Sequence, residues 1–175
     1  MGPILARVGI AFALVGIAIG VVLGRYWRRS NHHDAHLLDA LTGVPTRAAI
    51  DRWLQTLRVD DAVVMLDVDS LKRTNDTRGH TAGDELLIAI AHHLSDGIRK
   101  EDTVARFGGD EFVIVLRGGG SGAGSVVERL RQAAPADFSA GVSVHHGGDG
   151  AATLAAADAA LLEAKRAGGR RVVSA

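Results

Sequence analysis

The chain has 175 residues, with 20 basic and 20 acidic side chains, a formal net charge of zero and no cysteine. This length accommodates one ordinary domain and a short additional segment. The balanced charge argues against a general nucleic-acid-binding protein, which would carry a basic excess. The absence of cysteine excludes disulfides and thiolate metal sites.

The first 29 residues differ in composition from the rest. Residues 8–24 read VGIAFALVGIAIGVVLG, without a polar side chain, which matches a membrane-spanning helix of about 17–25 residues. A cleaved signal peptide is the alternative, but the run is long and ends in RYWRR rather than in small residues. The sequence therefore predicts a transmembrane anchor over residues 1–29, a linker over residues 30–37 and a soluble domain over residues 38–175.

Charge and glycine spacing bear on how this anchor is oriented and paired. Arg25, Arg28 and Arg29 outnumber the single arginine on the other side, so the positive-inside rule places the C-terminal domain in the cytoplasm. Glycine recurs every fourth residue, which lays a smooth stripe on one helix face and would let a second helix approach closely. The stripe consists of Gly16, Gly20 and Gly24. Glycine is also common in membrane helices without such a role, so dimerisation through the stripe is a hypothesis.

Helical and strand patterns alternate in the soluble part. In chain order they predict a helix over residues 46–57, a strand over 62–68, a helix over 82–98, a hairpin with strands over 103–107 and 111–116, a helix over 124–134, a strand over 138–145, a helix over 151–168 and a strand over 170–174. This mixture predicts an α+β sandwich, in which helices flank an antiparallel-rich central sheet.

Acidic residues follow two of the predicted strands. Asp67 and Asp69 lie at the end of the first strand and, by alternation, on one face. Asp110 lies in the hairpin turn, so it meets Asp67 at one edge if the two strands are neighbours. Carboxylates that converge there form a hard-oxygen site suited to Mg²⁺ and to phosphoryl or nucleotidyl transfer. The alternative is that these acids only cap turns and strand ends.

Several segments, in their order and spacing, resemble the GGDEF-domain diguanylate cyclases. They are DALTGVPTR, LDVDSLKRTNDTRGHTAGDELL, RFGGDEFVIVL, SAGVSV and DAALLEAKRAGGRRVV, all between Leu38 and Val173. The resemblance implies a ferredoxin-like fold of the nucleotidyl-cyclase and polymerase-palm type, preceded here by the transmembrane helix. It also implies a bacterial inner-membrane enzyme that condenses two GTP into cyclic di-GMP and pyrophosphate. The active form would be a homodimer of GTP-loaded domains.

The resemblance also implies roles for individual residues. Asp67, Asp110 and the main-chain carbonyl of Val68 would hold Mg²⁺, with two ions in each active site and Mn²⁺ as an alternative. Asp110 would help to deprotonate the attacking hydroxyl, Glu111 would support the second ion, and Lys72 would neutralise charge in the transition state. The substrate-binding set comprises Asn75 and Asp84 for guanine, His80 in the same pocket, Ser70, Leu71 and Lys165 for phosphates, and Gly108 and Gly109, which leave room for the nucleotide.

Two further features concern regulation and affinity. Arg99 and Asp102 are spaced like the family's inhibitory product site, although an exposed Arg and Asp pair is ordinary on any surface. Gly169 stands where the family has a second phosphate-binding arginine, and Arg170 is the neighbour that could replace it. Two other functions stay open: a catalytically weak or silent domain that regulates by binding GTP or cyclic di-GMP, and a different nucleotidyl cyclase or polymerase palm.

Overall fold

The structure is a computed structural model and describes residues 38–69 and 71–175. The predicted anchor, the predicted linker and Ser70 lie outside these ranges. The membrane span and the glycine stripe of Gly16, Gly20 and Gly24 therefore stay predictions. Across the described residues, no helix combines the length and the apolar character needed to cross a bilayer.

Five α-helices and five β-strands form within the described ranges. In chain order they are α1 (Arg47–Leu54), β1 (Ala62–Val68), α2 (Leu71–Arg78), α3 (His80–Asp96), β2 (Thr103–Gly108), β3 (Glu111–Leu116), α4 (Ala123–Gln132), β4 (Phe138–Val144), α5 (Gly150–Arg166) and β5 (Val172–Ser174). Each predicted element is present. The helix α2 was not predicted, because its sequence LKRTNDTR buries no residue and so carries no apolar period.

The strands form one sheet in the order β2-β3-β1-β4-β5. The central strand β1 runs antiparallel to both β3 and β4, and β2 pairs antiparallel with β3 in the predicted hairpin. The edge strand β5 lies parallel to β4. The expected α+β architecture with an antiparallel-rich sheet is therefore confirmed.

Helices cover both faces of this sheet. Val64 and Leu66 of β1 belong to a core cluster that includes residues of α3 and α4. Val63 and Met65 point to the opposite face and join a cluster with residues of α1 and α5. Because β1 is buried on both faces, its sequence is a continuous apolar run rather than an alternating one.

Helix α5 lies unusually close to the sheet at Gly141 of β4. A Cβ at this position would collide with backbone atoms of Ala157, Ala160 and Leu161. Helix backbone cannot move aside as a flexible side chain can, so the glycine is what permits this contact. The position of α5 matters for the site, because α5 carries Lys165.

We expect Gly141→Ala to lower the free energy of unfolding by about 1–3 kcal/mol, the usual range for overpacking a core. Urea denaturation followed by circular dichroism measures the change. Gly124→Ala is the matched control, because a Cβ on Gly124 meets only the Ser174 hydroxyl, at 3.4 Å. Equal stability of the two variants would contradict the close contact between α5 and β4.

Candidate active site

The predicted acidic residues lie together at the C-terminal end of the central strand β1, a region that we call the acidic edge. In the strand register, Asp67 lies opposite Glu111 of β3 and Ser139 of β4. The amide of Val68 donates a hydrogen bond to the Asp110 carbonyl at 3.1 Å, which holds the hairpin turn against the end of β1. The prediction that Asp67 and Asp110 meet at one edge is confirmed.

Negative charge is concentrated at this edge. Burial raises the pKa of Asp67, and the charges of Asp110 and Asp69 raise it further, although Lys165 opposes the shift. Burial also raises the pKa of Glu111, and the charges of Asp67 and Asp110 add to it. Burial and neighbouring negative charge both disfavour an ionised carboxylate, whereas a nearby cation favours it. A cation bound at the acidic edge would therefore stabilise the ionised carboxylates.

A positive side chain from α5 reaches these carboxylates. Nζ of Lys165 lies 2.7 Å from Oδ2 of Asp67. The resemblance implied a phosphate contact for Lys165, whereas here the ammonium neutralises a predicted metal ligand. The Lys165 side chain is 41% exposed, so its ammonium can release Asp67 and bind another anion while it remains in contact with solvent.

The oxygen donors at this edge suit a hard divalent cation. Among residues 38–69 and 71–175, no three His, Asp or Glu side chains gather into a group that could hold a metal ion alone. The groups predicted to bind metal, the carboxylates of Asp67 and Asp110 and the main-chain carbonyl of Val68, are too few to complete a coordination shell by themselves. Mg²⁺ typically binds through one or two carboxylates and completes its coordination with water and substrate phosphates. The residues therefore fit Mg²⁺ that binds together with a phosphate group.

Arg106 holds the hairpin turn that precedes Asp110. Its Nε and Nη2 donate to the Gly109 carbonyl at 2.9 and 2.6 Å, and its Nη1 lies 3.0 Å from Oδ1 of Asp39. Burial acts to raise the pKa of Asp39, but hydrogen bonds from Thr42 and Arg106 hold that pKa below its usual value. The sequence pattern did not indicate this role, although Arg106 and Asp39 each begin one of the segments that carry the resemblance.

The paired glycines lie at the exposed tip of the hairpin. A Cβ on Gly108 or Gly109 would meet no atom within 4 Å, so there is free space beside the turn, as expected for residues that leave room for a ligand. Gly109 also has a φ of +52°, which side-chain-bearing residues rarely adopt. The turn therefore requires glycine at 109 for its own conformation.

The conformation of the loop after α5 explains why position 169 is glycine rather than the arginine that the resemblance implies. Oγ of Ser139 and the amide of Arg170 donate to the Asp69 carboxylate at 2.9 and 3.1 Å. Gly169 has a φ of +70°, and a Cβ there would lie 3.2 Å from that carboxylate, so an arginine at 169 would be strained. The suggestion that Arg170 replaces the missing arginine is not met in this structure, because its guanidinium pairs with Asp137 at 3.1 Å.

The residues predicted to bind the nucleotide lie on α2 and α3. Leu71 is the first residue of α2; Lys72, His80 and Asp84 are exposed, and Asn75 is half-buried. Oδ1 of Asn75 is buried and has no hydrogen-bond partner among the described residues. A buried carbonyl oxygen without a donor costs about 1–3 kcal/mol. Asn75 is therefore a candidate to receive a donor from a ligand.

The predicted inhibitory pair lies in the turn before β2. Asp102 is buried, and its carboxylate accepts hydrogen bonds from the amides of Arg99 and Arg117 at 3.0 and 2.8 Å. Arg99 is exposed and lines a cleft of about 320 Å³ together with Arg117 and Arg129. Asp102 thus shapes the turn from inside, while the exposed Arg99 and Arg129 offer positive charge to the cleft. The guanidinium of Arg117 is paired with Asp61 at 2.7 Å.

The sheet order and the acidic edge together define a palm-like α+β domain of the nucleotide-cyclase type. The family model described as "Diguanylate cyclase, GGDEF domain" matches residues 36–171. The chain belongs to this family.

Individual relatives agree with this assignment. The chain is 40% identical over 157 residues to the diguanylate cyclase DgcP of Pseudomonas aeruginosa, a match that covers 78% of this chain and 23% of that protein. The chain therefore spans less than a quarter of the length of this relative. Among solved structures, it is similar to the diguanylate cyclase SiaD of Pseudomonas aeruginosa in complex with its activator SiaC, with a TM-score of 0.72, 30% identity, and coverage of 98% of this chain and 76% of that one.

A second solved structure is a microbial GGDEF domain described by its mode of interaction with cyclic di-GMP. It has a TM-score of 0.71 and 30% identity, and the match covers 79% of this chain and 99% of that one.

The charge concentration predicts an effect of Asp110→Asn on stability. In buffer without divalent cations at pH 7, we expect the free energy of unfolding to rise by up to about 1 kcal/mol, the scale of charge interactions at a partly exposed edge. The folded-state pKa values of Asp67 and Glu111 are raised, so their ionisation opposes folding above the folded pKa and has no effect below the unfolded pKa. The gain should therefore disappear in acid.

Urea denaturation at neutral and acidic pH measures this difference. Asp76→Asn, which removes an exposed acid from α2, is the matched control and should change stability little at either pH. A loss of stability in Asp110→Asn at pH 7 would show that the carboxylates do not repel one another as described.

Proposed function

We propose that the chain is a diguanylate cyclase, which condenses two GTP molecules into cyclic di-GMP and pyrophosphate. The observation that carries the proposal is the acidic edge, where Asp67, Asp110 and Glu111 converge beside the Lys165 ammonium. Membership of the family supports the same reaction. A domain built only for packing would have no use for two neighbouring, partly buried carboxylates, Asp67 and Glu111, with raised pKa values.

The proposed cofactor is Mg²⁺, with two ions in each site and Mn²⁺ as an alternative. Asp67, Asp110 and the Val68 carbonyl would hold it, with Glu111 supporting the second ion. Bound there, the metal would supply positive charge to the phosphates and lower the pKa of a coordinated oxygen. The raised pKa of Asp67 supports a cation site, because neighbouring negative charge would favour the ion.

The proposed reaction joins the 3′-hydroxyl oxygen of one GTP to the α-phosphorus of the other. The bond between the α-phosphorus and the bridging oxygen breaks, and pyrophosphate leaves with the electron pair. Asp110 accepts the hydroxyl proton, either directly or through water. Lys72, which is exposed at the start of α2, stabilises the negative charge that develops on the phosphate. A second step of the same kind, in which the 3′-hydroxyl of the other nucleotide attacks the remaining α-phosphorus, closes the ring and releases a second pyrophosphate.

Substrate binding is assigned to the surrounding residues. Asn75 and Asp84 would read the guanine edge, because a carboxylate accepts from both N1–H and the exocyclic amine, and His80 would line the same pocket. Leu71, with Ser70 before it, would offer amides to phosphates, and Gly108 and Gly109 would admit the base. Lys165 would leave Asp67 for the terminal phosphates when a metal ion neutralises that carboxylate. Its 41% exposure supports such an exchange.

Two copies of the domain are needed, because each nucleotide supplies a nucleophile to the other. We propose a homodimer that forms at the inner face of the bacterial cytoplasmic membrane, held there by the predicted anchor. Pairing through Gly16, Gly20 and Gly24 would raise the effective concentration of this encounter. The chain has a net charge of zero and no basic excess, so it is not expected to bind nucleic acid.

The decisive experiment is incubation of the purified chain with GTP and Mg²⁺, with chromatographic detection of cyclic di-GMP. We expect product from the wild type, a specific activity that rises with protein concentration, and a loss of at least about a thousandfold in Asp110→Ala, which lacks both the proton acceptor and a metal ligand. Binding of GTP without product in a preparation shown to be dimeric would identify the chain as a silent regulator instead.

Feedback inhibition is proposed for the turn at Arg99. Exposed Arg99 and Arg129 line one cleft, and guanidinium groups bind phosphates bidentately and stack on purines. We expect Arg99→Ala to increase the half-inhibitory concentration of cyclic di-GMP by about tenfold or more, because the substitution removes a charge-assisted contact. Lys100→Ala, at the exposed neighbour, is the control. Unchanged inhibition in Arg99→Ala would refute the assignment.

A further inference from the structure

Asn75 of α2 packs directly against Gly83 of α3. A Cβ on Gly83 would collide with Oδ1 and Cγ of Asn75, and Gly83 itself is buried. Gly79 separates the two helices and has a φ of +85°. Its amide donates a hydrogen bond to the main-chain carbonyl of Asn75 at 2.9 Å. The Asn75 carboxamide therefore occupies the space that a side chain at position 83 would fill.

The same carboxamide has an unused acceptor. Oδ1 of Asn75 is buried and has no hydrogen-bond partner in the described part of the chain. Buried polar atoms in native proteins are nearly always paired, and an exception calls for a functional explanation. Asp84 follows Gly83 directly and is exposed, so the residue proposed to present a carboxylate to the base is the chain neighbour of the glycine that Asn75 contacts.

A glycine within a helix has a conformational cost relative to alanine. Gly83 lies in the first half of α3, His80–Asp96, and its φ is not in the left-handed region. The backbone therefore gives no reason for glycine at this position. The remaining explanation is space, and the group that uses this space is the carboxamide of Asn75.

We propose that Gly83 is a specificity-determining residue for guanine. Because it has no side chain, Gly83 lets the Asn75 carboxamide lie against α3 at the residue before Asp84, where its unpaired Oδ1 would accept an N–H of the base. This inference rests on the proposed function, and it adds a residue that acts through Asn75 without touching the nucleotide. The Asp84 carboxylate is assigned N1–H and one N–H of the exocyclic amine, so the second N–H of that amine is the donor left for Asn75. Adenine has no amine at C2, so it gains nothing from this arrangement.

The test is nucleotide binding by the purified full-length chain, measured by calorimetry in Mg²⁺ buffer. The ligands are α,β-methylene GTP and α,β-methylene ATP, whose α–β linkage the reaction cannot cleave. We expect Gly83→Ala to weaken binding of the guanine analogue by about tenfold, the scale of one lost hydrogen bond in a specific site. Binding of the adenine analogue should be unchanged, so the preference for guanine falls by the same factor.

A double-mutant cycle separates this role from a purely structural one. Asn75→Ala removes the side chain that the new methyl group would meet, so Asn75→Ala/Gly83→Ala should bind the guanine analogue no more weakly than Asn75→Ala alone. Gly124→Ala, a glycine replaced within α4, is the control and should keep the wild-type preference. If Gly83→Ala fails to fold, the double variant should recover folding.

The inference is overturned if Gly83→Ala keeps the wild-type preference, if the two substitutions are additive, or if the double variant fails to recover folding. Failure of the proposed function looks different. In that case the wild type itself would show no preference for the guanine analogue over the adenine one.

Discussion

The concentration of carboxylates at the end of β1 is the constraint on which the rest of the site depends. Asp67 and Glu111 face each other across two central strands, and both have raised pKa values because of burial and mutual repulsion. Positive charge beside such carboxylates stabilises their ionised form. In this structure that charge is supplied by the ammonium of Lys165. The proposed reaction would bring metal ions and leave Lys165 free for phosphate.

The elements around this edge hold it rigidly. Arg106 connects the Gly109 carbonyl to Asp39, so the hairpin turn is tied to the segment with which the described domain begins. On the other side, Asp69 and Ser139 hold the loop that follows α5. A movement at Asp39 would therefore reach the turn that carries Asp110 through a single side chain. Catalytic groups need this kind of support, because small displacements of reacting atoms are costly.

Much of the fold followed from local patterns, whereas parts of the site did not. The run at β1 and the hairpin were predictable, since apolar strands and paired glycines have clear local patterns. Helix α2 was missed, because a helix that buries no residue carries no apolar period. The contact of Lys165 with Asp67 and the burial of Asp102 were also not predictable. Both depend on residues far apart in the chain, and neither residue type determines its own partner.

The sequence by itself determined which chemical groups are present and, apart from those on α2, on which elements they lie. Hydrophobic periodicity, glycine and the positions of the acids are local properties, and they were enough to predict the acidic edge. The tertiary structure alone decided the roles of Gly83, Gly141 and Gly169. Gly83 accommodates a side chain, Gly141 a helix backbone and Gly169 a left-handed loop beside a carboxylate. The physical reason is that the structural effect of a glycine depends on which atoms lie where its side chain would be, and the fold determines those atoms.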